Sequence, residues 1–180
     1  MAKQFDRIRD DHRAFIERQH VFFVASAAAT GRVNLSPKGL DAFRVLGERR
    51  VCYLDRTGSG NETAAHLRQN PRLTIMFCAF DGAPLILRLY GTGTSLPLGT
   101  PAFDALRAEA FAGTDPLGVR QIVTLDVDLV QTSCGFAVPL YGYEGERDTL
   151  TRWAASKGEE GLAAYRREKN AVSIDGFPAL

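Results

Sequence analysis

The chain has 180 residues, 45% of them hydrophobic and 24% charged, with a formal net charge of +1. That length suffices for one domain with a real core, and the near-neutral balance argues against nucleic acid as a partner. The longest uncharged apolar run, VFFVASAAA at residues 21–29, is far shorter than the roughly 20 residues that cross a bilayer as a helix, so no membrane span is expected.

Phe5, Ile8, His12 and Phe15 recur at helical spacing among charges and predict an amphipathic helix over residues 5–19. HVFFVASAAA then reads as a buried strand, Thr30-Gly31 as a tight turn, and RVNLS as the hairpin partner, broken at Pro37 and Gly39. AFRVL and RVCYLD are two further short strands joined by GER. A glycine-rich turn follows, then a short helix that stops at Asn70-Pro71. RLTIMFCAF is apolar on both faces, as in a strand covered on both sides, and Asp81-Gly82 signals a hairpin into the longer strand PLILRLYGTGTSL. Residues 101–110 are expected to be helical, with Thr100 as the cap and Pro101 in the first turn.

In QIVTLDVDLVQT the alternation is clean: Val123, Leu125, Val127 and Leu129 point one way, Thr124, Asp126 and Asp128 the other. Two helical segments, around 146–157 and 159–169, close the chain ahead of an extended tail. Six or seven strands joined mostly by hairpins, with no repeat or linker, give one α+β domain over residues 1–180 built on an antiparallel barrel with peripheral helices. Residues 146–180 are expected to be a helical extension packed on it.

The charged N-terminus has no apolar signal core. Cys52, Cys78 and Cys134 are odd in number and widely spaced, with no histidine at ligand spacing. A reduced cytoplasmic protein with structural thiols and no metal is expected. His12, His20 and His66 show neither triad nor metal spacing.

The stretch DRTGSGNETAAHL, residues 55–67, asks for two explanations. Ser59 and Glu62 fit a capping box, in which each side chain covers the other's free backbone N–H. Gly58 and Gly60 also leave N–H groups unobstructed at a helix start, where the dipole favours a phosphate. Arg56, Thr57, Asn61 and Thr63 would add a cation and neutral donors there. Glu62 opposes that reading unless it turns away or pairs with Arg56. The turn has neither the GK[ST] of a Walker loop nor GxGxxG. In NLSPKG, Ser36, Lys38 and Gly39 form a second polar turn. Arg88 shares a strand face with Ile86 and Tyr90, too apolar to be fully wet, so its guanidinium needs a partner, either a carboxylate or a ligand.

Taken together, NLSPKG, AFRVL, RVCYLDRTGSGNETAAHLRQNPRLTIMFCAF and LILRLYGTG resemble the pyridoxamine 5′-phosphate oxidase-related family of FMN-binding split barrels. QTSCGFAVPLYGYEGERDTL, RWAASKG, YRREKN and SIDGFP resemble one subgroup of it, so the resemblance runs through nearly the whole chain. It implies a split barrel, a homodimer, and FMN in a groove at the dimer interface. The implied cofactor-binding residues are Ser36, Lys38, Gly39, Arg56, Thr57, Asn61, Thr63 and Arg88.

In the true oxidases, an Arg-Lys pair and a strand arginine hold the phosphate. Aligned on Asn70-Pro71, that pair falls on Glu62 and Thr63, and the strand arginine falls near Ser36. Arg56, Lys38 or Arg88 would then restore the charge. The glutamine that touches the flavin falls near Ile86, and the oxidases' C-terminal tryptophan–arginine pattern is missing. The resemblance therefore carries flavin binding but not oxidation of pyridoxamine phosphate. The expected function is that of an FMN-dependent oxidoreductase acting on a small-molecule substrate. The alternative is a non-catalytic binder of flavin, deazaflavin or a tetrapyrrole. No side chain stands out as a catalytic acid or base.

Overall fold

The computed structural model describes residues 2–180. They form, in order, β1 (Lys3–Phe5), α1 (Asp10–Glu17), β2 (Phe22–Ala27), β3 (Val33–Lys38), β4 (Phe43–Gly47), β5 (Arg50–Arg56), α2 (Glu62–Gln69), β6 (Arg72–Cys78), β7 (Ile86–Pro97), α3 (Pro101–Ala110), β8 (Val119–Ser133) and α4 (Thr149–Lys169). All the strand pairs are antiparallel, in the order β3-β2-β6-β7-β8-β5-β4, with β1 added beside β8. This is an α+β split barrel whose sheet does not close, since no described ladder joins β3 to β4.

The core lies inside the curl of the sheet. Phe22, Phe43, Tyr53 and Phe77 meet there with ring centroids 5.0–5.8 Å apart, mostly edge to face. Each such side chain contributes about 1.5–3 kcal/mol by leaving water. β7 and β8 pair along twelve registered positions, through a bulge between Tyr90 and Gly91. Only glycine fits that bulge, because a Cβ at Gly91 would lie 1.9 Å from the Asp126 carbonyl oxygen.

Three expectations change. The N-terminal helix starts at Asp10 rather than residue 5, because Lys3–Phe5 pairs with Val130–Thr132, raising the strand count from six or seven to eight. Pro37 does not break β3, which continues to Lys38; β3 is an edge strand, where a missing N–H costs no ladder bond. The two closing helical segments do separate at Gly158, whose φ of 63° and ψ of 176° leave the helical region, but the first begins at Thr149 rather than around 146.

Two features place the site. β5 ends at Arg56, and its register with β8 shifts between Asp55 and Arg56, which pair with Gln121 and Val119. Arg120 is the extra residue of that bulge, and its side chain turns inward to 8% exposure. β3, across the opening of the sheet, brings Ser36 and Lys38 towards the end of β5.

Candidate cofactor site

A cavity of about 430 Å³ opens between β3, the end of β5 and the start of α2. Its size falls within the range of small-molecule sites. Ser36, Lys38, Gly39, Arg56, Asn61 and Thr63 line it together. The structure places Thr57 and Arg88 outside its wall.

Its floor is an ion cluster. Asp55 is 3% exposed and accepts hydrogen bonds from Lys38 Nζ at 2.6 Å, Arg120 Nε at 2.7 Å and Gln121 Nε2 at 2.7 Å. Burial pushes the Asp55 carboxyl up, but Lys38 and then Arg120 outweigh it and hold it at about 2. Two cations on one anion leave a surplus positive charge at the cavity floor. On the β3 side, Ser36 Oγ donates to Asn34 Oδ1 at 3.1 Å, and Asn34 Nδ2 donates to Thr63 Oγ1 at 3.2 Å.

The glycine turn is held by the C-terminal segment rather than by a capping box. Asn61 occupies the N-cap position of α2 but makes no side-chain cap. Its Nδ2 donates to the Asn170 and Ala179 carbonyls at 3.4 and 3.2 Å, while its Oδ1 accepts from Gln121 Nε2 at 3.0 Å. Glu62 turns away from Ser59: its carboxylate accepts the Ile174 N–H at 3.1 and 3.2 Å. Asn170, fully buried, donates from Nδ2 to the Gly58 carbonyl at 3.0 Å and accepts from Arg120 Nη1 at 2.9 Å. The ion pair of Arg32 with Asp175 ties the same segment to the β2–β3 turn. The tail thus backs the turn, and none of residues 170–180 lines the cavity. The first-turn N–H groups of α2 receive no side-chain cap at the cavity edge.

Arg56 lines the cavity with its guanidinium already engaged, donating to the Leu117 and Asp115 carbonyls at 2.6 and 3.1 Å. Thr57 is fully buried; its N–H donates to the Gly118 carbonyl at 2.6 Å. Arg88 lies on β7, and its Nη1 donates to Ser133 Oγ at 3.1 Å. The partner that its apolar face called for is therefore a hydroxyl across the β7–β8 ladder. Sequence reasoning missed Arg120, Gln121 and Asn170. The one signal for the first two was a polar pair, Arg-Gln, side by side at the start of a strand that otherwise alternates.

A second cavity, of about 750 Å³, adjoins the first and shares Gly39, Leu40, Ala42 and Arg56 with it. On its wall the His20 and Tyr143 rings stack with centroids 3.6 Å apart and planes within 3°. The combined space suits a flat molecule with an anionic end. The donors, the surplus cation and the uncapped helix start all sit at the α2 end, where such an anion would belong.

Residues 8–134 match the family model for pyridoxamine 5′-phosphate oxidase. The pyridoxamine 5′-phosphate oxidase family protein ustO of Aspergillus flavus is 37% identical over 194 residues, covering 98% of this chain and 77% of that protein. That likeness runs past the family model into the C-terminal helix and tail. Among solved structures, HupZ of Group A Streptococcus aligns with a TM-score of 0.57 at 20% identity, covering 70% of this chain and 99% of that one. A FAD-binding protein of Mesorhizobium loti aligns with a TM-score of 0.50 at 10% identity, covering 73% of this chain and 97% of that one. At such identities these two likenesses carry the fold alone.

Proposed function

The chain belongs to the pyridoxamine 5′-phosphate oxidase family, and from that premise we propose that it binds FMN and serves as an FMN-dependent oxidoreductase for a small-molecule substrate. The observation that carries this reading is the surplus positive charge of Lys38 and Arg120 over Asp55, set beside the uncapped start of α2. Lys38, Arg120 and the N–H groups of the glycine turn would hold the phosphate. Ser36, Asn34 and Thr63 would supply neutral donors and acceptors along its path. Gly39 leaves room for a ring to lie against the β3–β4 turn, where a Cβ would come within 3.3 Å of the His20 carbonyl oxygen. Arg56 acts through the backbone, fixing residues 115–117 against the end of β5, and Thr57 anchors the turn from within the core. Arg88 belongs to the proposal only as a residue of the outer sheet face, available to a flavin shared between two chains.

FMN bound there would supply hydride and single-electron transfer, and the chain would supply binding, orientation and exclusion of water. The adjoining cavity gives a second reactant room beside the ring. We further propose a cytoplasmic homodimer with the flavin site at the interface. The half-buried Ala25 and Ala27 on the outer face of β2 would allow close approach of a second chain. Residues 1–180 form a single domain in this reading, with 146–180 as its packed extension. No described helix is long and apolar enough to cross a membrane.

The test is anaerobic reduction of the FMN-loaded protein by NADH or NADPH, followed by admission of candidate acceptors. Loss and return of the flavin's visible absorbance is expected. Flavin that binds but is reduced by neither donor would leave a binding protein and remove the oxidoreductase assignment.

A further inference from the structure

Behind Arg120, on the side away from the cofactor cavity, the structure holds another cavity of about 310 Å³. Three elements each send one arginine to its wall: Arg68 from α2, Arg120 from β8 and Arg166 from α4. Asn61, Ser95 and Gln121 add polar groups, the last residue, Leu180, reaches its wall, and no aspartate or glutamate side chain lines it among the described residues. We propose that Arg68, Arg120 and Arg166 form a binding site for a small oxyanion of the phosphate class.

The charge balance carries the argument. Arg120 has Asp55 as counter-charge, at 2.7 Å. Arg68 and Arg166 have no carboxylate within ion-pair distance among the described residues. Arg166 Nε is buried with no hydrogen-bond partner. A buried, unpaired donor on a charged group is costly, and native proteins rarely keep one without a use. Burial and then the neighbouring Arg120 lower the Arg166 pKa, so the folded protein holds this guanidinium against both desolvation and like charge. An oxyanion would supply acceptors to Nε and offset the like charge of Arg120, and it suits the planar fork of arginine.

The site shares Arg120 with the proposed phosphate end of the flavin site and uses no other group assigned there. Arg120 and Asn61 line both cavities, so they form the wall between the two sites.

The test is titration calorimetry of inorganic phosphate into the purified protein, with and without saturating FMN, at constant ionic strength, with melting temperatures taken in phosphate-free and phosphate buffer. Saturable binding of one phosphate is expected in the wild type with FMN present, when the cofactor cavity is filled. Arg68→Gln and Arg166→Gln should each weaken it by about tenfold or more. In phosphate-free buffer, Arg166→Gln should melt at or above the wild type, because it removes a half-buried charge whose Nε has no partner. A purely structural arginine would give the opposite sign. The proposal is overturned by absence of saturable phosphate binding, by undiminished affinity in Arg166→Gln, or by an Arg166→Gln that melts lower in phosphate-free buffer. Phosphate binding that disappears once FMN is added would place the anion in the cofactor cavity and overturn it equally.

Discussion

An ionised carboxylate is costly to bury unless cations and donors surround it, and Asp55 has Lys38, Arg120 and Gln121. Its folded pKa of about 2 lies below the ordinary 3.8. The stability it contributes is therefore fully present above pH 4 or so and is lost as pH falls towards 2, by about 2 kcal/mol. Asp55→Asn should destabilise the neutral-pH fold by about 3 kcal/mol, because buried Arg120 and half-buried Lys38 lose their anion, and should flatten that acid limb. Urea unfolding at a series of pH values reads both effects. Glu62 gives a second prediction. Its carboxylate receives the Ile174 N–H, yet its charge still lies at the helix start where the phosphate is proposed. Glu62→Gln should cost less than about 1 kcal/mol of stability and should tighten FMN binding, read by calorimetry at fixed ionic strength. At this scale the sequence showed the polar turn and Lys38 but not Arg120, Gln121 or Asn170. Those three come from strands and a tail more than 50 residues away, so only the β5–β8 register and the docked tail bring them together.

Elements with a strong local period were legible, and those defined by distant partners were not. The α3 cap was readable because Thr100 and Pro101 act locally; Thr100 Oγ1 accepts the Phe103 N–H at 3.3 Å. β1 was not, since three residues become a strand only by lying beside Val130–Thr132. The S-x-x-E signal before α2 was real as a pattern, but the C-terminal segment outcompeted it for Glu62. The break in α4 was visible as a gap between two helical runs. Gly158 makes it, in a backbone region that costs other residues about 1–3 kcal/mol, with open space where a Cβ would go. Gly158→Ala should therefore lose about that much stability through backbone strain alone, measurable by urea unfolding.

Viewed as a whole molecule, the open sheet leaves an edge that one chain does not cover. Val33 and Leu35 on β3 are 75% and 63% exposed, and Ile174 on the nearby tail is 72% exposed. A dimer would cover surface of this kind, within an interface of roughly 1,600 Å² or more. Light scattering during size exclusion should give twice the 19.7 kDa chain mass at micromolar concentration. The cavity between Lys38, the glycine turn and Arg120 is proposed to hold a phosphate. Comparing FMN with riboflavin, which differ only by that phosphate, tests it most directly. By fluorescence or calorimetric titration, FMN should bind one per chain, about tenfold or more tighter than riboflavin, and Lys38→Ala should abolish most of that difference. Riboflavin binding as tightly as FMN, or a preference for FMN undiminished in Lys38→Ala, would contradict the account.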